Sequence, residues 1–115
     1  MFQLIKIITK SFLIGFLFFS FQGISQTSDQ KMAIYYFEEG DFEKAKMYYV
    51  KVFETNQSRN TYSNYFTTLI ELKEYKEAEK ITKKIIKKNP NYPYYNLKLG
   101  EIYEIKGEQK KADKH

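Results

Sequence analysis

The sequence predicts an all-α fold, a superhelix of about two and a half antiparallel helical hairpins, and three observations carry that reading. An acidic turn leading into alanine recurs at Gly40-Asp41-Phe42-Glu43-Lys44-Ala45, Lys73-Glu74-Tyr75-Lys76-Glu77-Ala78 and Gly107-Glu108-Gln109-Lys110-Lys111-Ala112, with the alanines 33 and 34 residues apart. A period near 34 residues marks stacked hairpins, none of which can bury its apolar face alone. Within each copy Ala33 to Ala45, Phe66 to Ala78 and Gly100 to Ala112 are twelve residues apart, and Tyr36, Leu69 and Tyr103 follow three after the first of each pair. Lastly, apolar residues recur at helical spacing between regularly placed breakers.

Residues 1–25 are built differently from the rest. Six of the ten Phe lie in the first 21 positions, whereas all eleven Tyr follow residue 30. Lys6 and Lys10, the run SFLIGFLFFSF at 11–21 and the small residues Gly23 and Ser25 compose a bacterial-type secretory signal, with cleavage expected between Ser25 and Gln26. An uncleaved anchor is the competing reading. Eleven residues rise only about 16 Å as a helix, against roughly 30 Å of hydrocarbon, and lengthening the helix buries lysines. Export to the periplasm or beyond is therefore expected. With no Cys in the chain, it is neither a lipoprotein nor a disulfide-stapled domain, and it has no thiolate metal site.

Helices are expected at about 29–39, 42–55, 61–72, 75–88 and 93–105, with a last one starting near Glu108 and cut off at His115. Gly40-Asp41 breaks the first, Asn56-Gln57-Ser58 closes the first hairpin, and Asn89-Pro90 stops the fourth because proline lacks an amide proton. Pro93 suits a first helical turn. The units are then about 26–58, 59–92 and a truncated 93–115. Tyr62, Tyr65, Leu69 and Leu72 are expected to pack against Ala78, Ile81, Ile85 and Ile86. Leu99, Ile102 and Tyr103 should lack part of their cover, which points to dimerisation through the third unit or to a native continuation.

This pattern resembles the tetratricopeptide repeat, in which a small residue is followed by Tyr three later and by Ala twelve later, then an aromatic, then Pro. The third copy, with Leu99-Gly100, Tyr103, Gly107 and Ala112, matches best. Phe66 stands where the family prefers a small residue, and Thr82 where it prefers an aromatic. The resemblance covers residues 26–115 and implies a right-handed stack whose first helices line a concave groove for a peptide or partner helix. It places Gln30, Ile34 and Phe37, then Asn64, Thr67 and Ile70, then Lys98, Glu101 and Glu104 on that face. Of a terminal-carboxylate clamp known in one subfamily only Asn64 matches, with Lys98 in place of an Arg and Gln30, Ile34 and Tyr94 at the other positions. The implied groove is mixed polar and apolar.

Catalytic chemistry has little material here. The one His is the last residue, Trp is absent, and the five Gly are scattered rather than gathered in a phosphate loop. No enzyme, cofactor or metal is expected within these residues, although an activity carried beyond residue 115 stays an alternative. Removal of residues 1–25 leaves 17 basic against 14 acidic residues, or +3, too mild for nucleic acid. Lys83, Lys84, Lys87 and Lys88 flank Ile81, Ile85 and Ile86 as a basic amphipathic stretch. They are read as the solvated back of a core helix, with membrane contact through that face as the alternative. The expected partner is a protein or peptide.

Overall fold

The computed structural model describes residues 27–113, so the expected signal at 1–25 lies outside the described residues. Five helices follow in order: α1 (Ser28–Glu38), α2 (Phe42–Thr55), α3 (Arg59–Glu71), α4 (Tyr75–Lys88) and α5 (Pro93–Asp113). Each packs on its neighbour in sequence, and α1 also touches α3, so α1–α2 and α3–α4 are hairpins and α5 the half unit stacked on them. No described helix is long and apolar enough to cross a membrane.

Local chemistry sets the starts. Thr27 Oγ1 accepts from the Gln30 amide at 3.2 Å, Asp41 Oδ1 from Lys44 at 3.3 Å and Ser58 Oγ from Thr61 at 3.4 Å, each satisfying an amide that the first helical turn leaves open. Ser58 also donates its own amide to Asn56 Oδ1 at 3.1 Å, an Asx turn that makes Asn56-Gln57-Ser58 the expected hairpin-to-hairpin corner. α4 begins without a side-chain cap.

Both hairpins reverse by the same device. Gly40 donates to Phe37 O at 3.1 Å and Asp41 to Tyr36 O at 2.9 Å; Lys73 donates to Ile70 O at 3.0 Å and Glu74 to Leu69 O at 2.8 Å. This is the Schellman pattern, which needs a left-handed residue after the helix. Gly40 adopts φ 75° freely, whereas Lys73 adopts φ 60° against the steric cost of its Cβ.

Gly107 holds the equivalent place in the third copy, yet α5 runs through it as one helix of 21 residues, with no turn or separate final helix among the described residues. The reason lies in what comes next. A reversal at residue 40 or 73 brings back an apolar face, Ala45, Tyr49, Val52 and Phe53 in α2 or Ala78, Ile81 and Ile85 in α4, all buried. Residues 108–111 are Glu, Gln, Lys and Lys, good helix formers, and Gln109 stands where α2 and α4 open with Phe42 and Tyr75. Propensity outweighs the roughly 1 kcal/mol that a mid-helix glycine costs.

The core runs the length of the stack. Ala33, Ala45, Tyr49, Tyr62, Leu69, Ala78, Ile85 and Ile102 are all at most 1% exposed. Tyr49 and Tyr65 stack at 6.1 Å, joining α2 to α3, and Tyr62 meets Tyr95 edge-on at 4.9 Å, joining α3 to α5. The substituted positions of the second hairpin are well packed: Phe66 is buried beside Tyr62 at 5.7 Å, and Thr82, fully buried, bonds the Tyr62 hydroxyl at 2.7 Å. An aromatic carried by α3 instead of α4 fills that layer.

Adjacent tyrosines divide as helical geometry requires, with Tyr49 and Tyr95 buried beside the half-buried Tyr48 and Tyr94, and Tyr35 exposed beside the half-buried Tyr36. In the third unit the expected loss of cover is uneven. Ile102 is fully buried and Leu99 half-buried, while Tyr103 is 47% exposed. Tyr103 spends its hydroxyl on α4, donating to Glu79 Oε1 at 3.1 Å. Glu79 also holds Lys106 at 2.6 Å and Lys83 at 3.0 Å, so α5 is clamped to α4. Lys106 first, then Lys83, pull the Glu79 carboxyl down to about 2.

Candidate protein-interaction surface

α1 and α3, the first helices of the two hairpins, touch, and their first turns line one hollow. Gln30 and Ile34, four residues apart on one face of α1, and Ser58, Asn60, Thr61, Ser63 and Asn64 at the start of α3 enclose, with Tyr49 of α2, a cleft of about 310 Å³. No charged side chain lines it. Asn64 Nδ2 donates to the Tyr49 hydroxyl at 3.0 Å, which holds the side-chain amide, while Thr68 Oγ1 donates to the Asn64 backbone carbonyl at 2.8 Å within the helix. Its Oδ1 has no hydrogen bond among the described residues. Burial pushes the Tyr49 hydroxyl pKa up, moderated by the Asn64 bond, and Tyr49 is therefore a neutral group at ordinary pH. The cleft can offer hydrogen bonds without salt bridges, beside the apolar surface of Ile34.

The nine residues expected on the groove separate into four sets. Gln30, Ile34 and Asn64 meet in this cleft. Phe37 and Ile70 pack against the core, Phe37 edge-on to Phe42 at 6.0 Å and to Tyr49 at 6.3 Å, and Thr67 and Glu104 are exposed. Lys98 pairs with Glu101 at 3.3 Å and lies 5.2 Å from the Phe66 ring and 5.6 Å from that of Tyr94. Arg59 caps the same aromatic group, 4.0 Å from the Tyr94 ring.

Sequence reasoning passed over Tyr49, Ser58, Asn60, Thr61 and Ser63, which complete the cleft. The signal for the last four was the polar run from Ser58 to Asn64, interrupted only by Tyr62. Tyr49 carried none, since its hydroxyl reaches the cleft from a ring that is 1% exposed.

Two antiparallel hairpins and a fifth helix around one continuous core, with a polar cleft between the first helices of adjacent hairpins, define an α-helical repeat module. The tetratricopeptide repeat model matches residues 36–102, more than half the chain, which therefore belongs to the tetratricopeptide-repeat family. Domains of that family are protein–protein interaction modules. No curated protein and no solved structure matches the chain.

Proposed function

We propose that this protein is an exported interaction scaffold that binds an extended peptide or a partner helix through the face formed by α1 and α3. The observation that carries the reading is the convergence of Gln30, Ile34 and Asn64, from two helices 30 residues apart in sequence, on one uncharged cleft. Its volume of about 310 Å³ is that of a pocket for a side chain or short segment. The Asn64 amide, held by the Tyr49 hydroxyl, is ordered before binding, which lowers the entropy lost on association. Export rests on Lys6, Lys10, the apolar run at 11–21 and Gly23-Ser25, and a mature amino terminus at Gln26, read by mass spectrometry on secreted material, is the result it requires.

The binding face is tested with peptides selected from a display library against the whole chain. Gln30→Ala and Asn64→Ala should each weaken the selected peptides by about 1–3 kcal/mol where the amide is desolvated in the complex. Neutralising Lys83, Lys84, Lys87 and Lys88 on α4 should change affinity far less. The reverse ranking would place the binding face on the lysine-rich helix.

A further inference from the structure

A second cleft, of about 380 Å³, lies where the continuation of α5 passes the α3–α4 turn and the first turn of α4, and its lining is Lys73, Tyr75, Lys76, Lys106, Gln109 and Lys110. It exists because α5 does not turn back at Gly107: Gln109 and Lys110, which a third hairpin would carry away, instead stand opposite the start of α4. Lys73 enters it from the left-handed position that Gly40 holds in the first hairpin. Four of six lining residues are cationic and none is acidic. Lys106 is committed to Glu79, but no ion pair among the described residues engages Lys73, Lys76 or Lys110, all three exposed. The nearest carboxylate at the turn, Glu74, is taken by Lys46 of α2 at 2.6 Å. So the fold places three ammonium groups outside any ion pair around one concavity, with Glu74 and Glu79 committed to other lysines and Glu77 set on the adjoining hollow beside Lys73 and Lys76. Tyr75, half-buried, gives it an apolar floor, and Gln109 adds a neutral donor.

We infer that this cleft is a second docking site, which takes an acidic, Asp- or Glu-rich segment of the protein partner. Flexible ammonium groups on three different turns suit several separate carboxylates on a short chain, each reached by its own lysine. Convergent positive potential also speeds encounter with an oppositely charged segment. The inference rests on the reading of the chain as a protein-binding module, and it is independent of which peptide occupies the α1–α3 cleft.

The test uses the whole chain, isotope-labelled for NMR and titrated with a short oligoglutamate peptide and, separately, with inorganic phosphate. Oligoglutamate should shift the amides of Lys73, Lys76, Gln109 and Lys110, with an affinity that falls as salt screens the pairs. Lys73→Gln, Lys76→Gln and Lys110→Gln together should lower that affinity roughly tenfold, the sum expected of three exposed pairs. Lys84→Gln, Lys87→Gln and Lys88→Gln together remove the same charge from the exposed face of α4 and should leave it within about twofold. Circular dichroism checks that each variant keeps its helices, and Lys76→Gln alone, at an exposed helical position, should retain a measurable part of the loss. Asn64→Ala should leave oligoglutamate binding unchanged, which separates a failure here from a failure of the α1–α3 cleft. Three results would overturn the inference: no saturable binding of oligoglutamate, equal loss in the two triple variants, or phosphate binding as tightly as the peptide.

Discussion

The buried pair Tyr62–Thr82 offers the sharpest test of how the second hairpin holds together. Both residues are fully buried, and their hydroxyls are 2.7 Å apart. Thr82 Oγ1 also donates to the Ala78 carbonyl at 2.7 Å. A threonine hydroxyl has one proton, so the proton between the two side chains belongs to Tyr62, and Thr82 accepts it. Thr82→Val keeps the shape and removes the acceptor, leaving the Tyr62 hydroxyl buried without a partner at a cost of about 1–3 kcal/mol. Tyr62→Phe removes the donor instead; Thr82 keeps its bond to Ala78, so the expected loss is about 0.5–1.5 kcal/mol. With both changed, no buried donor is stranded, and the double variant should be little worse than Tyr62→Phe alone. The coupling energy is then about 1–2 kcal/mol, well above the few tenths seen between independent sites. Since 1 kcal/mol moves the midpoint of a domain this size by roughly 4–8 °C, thermal and urea melts of the four proteins resolve it. Strict additivity, with a coupling below about 0.3 kcal/mol, would refute the hydrogen bond as the link between α3 and α4 at this layer.

Three further outcomes are expected. Lys73→Gly should stabilise by up to about 1 kcal/mol, because relief of the left-handed strain of about 1–2 kcal/mol exceeds the added freedom of the unfolded chain, whereas Gly40→Ala should destabilise; a neutral or destabilising Lys73→Gly would contradict the strain. Burial raises the hydroxyl pKa of Tyr49, Tyr62 and Tyr65 above the ordinary 10.0, to about 12 for Tyr65. The folded state therefore keeps protons that the unfolded chain gives up, and stability should be level below pH 10 and fall toward pH 12 by up to about 1.4 kcal/mol per pH unit for each tyrosine; urea melts across that range check it. Glu79 has the opposite sign: its carboxyl is held down to about 2, so the clamp on α5 is present above pH 4.5 and lost as pH falls toward 2, and Glu79→Gln should flatten that acid limb of the stability profile.

What the sequence made legible was mostly what neighbouring residues decide. Asp41, Gly40, Asn56, Pro90 and Pro93 act within a turn of their own position, and the helix starts and ends they imply agree with the structure to within two residues through residue 93. Gly107 failed because register locates a turn without supplying a reason to make it; that reason is an apolar face downstream, which residues 108–111 lack. Phe66 and Thr82, read singly, were two departures from a pattern. In three dimensions they belong to one layer, and the hydroxyl of Tyr62 links them, a relation no single position could display. The groove residues divide along the same line. Gln30 and Ile34 share a face by helical spacing alone, so their meeting was readable. Lys98 is drawn onto the ring of Phe66 on α3, a choice made between helices.

The two clefts stand at opposite ends of one helix. Ser58, at the start of α3, lines the uncharged cleft, and Lys73, just past its end, lines the cationic one. The 13 residues of α3 rise about 20 Å, which an extended chain spans with roughly six residues. A single partner engaging both would therefore carry a neutral, hydrogen-bonding anchor and an acidic stretch about that far apart, and tethering would raise its affinity above that of either part alone. A shorter spacer could not reach, and would bind one cleft or the other with no gain. Because α3 is also the element that touches α1, α2 and α4 and sets Tyr62 against Tyr95 of α5, the ruler between the clefts is the helix with the most buried side chains, Thr61, Tyr62, Tyr65, Phe66, Thr68 and Leu69. The spacing is fixed by the core rather than by a loop, so a partner selected for that distance is recognised by geometry as well as by charge.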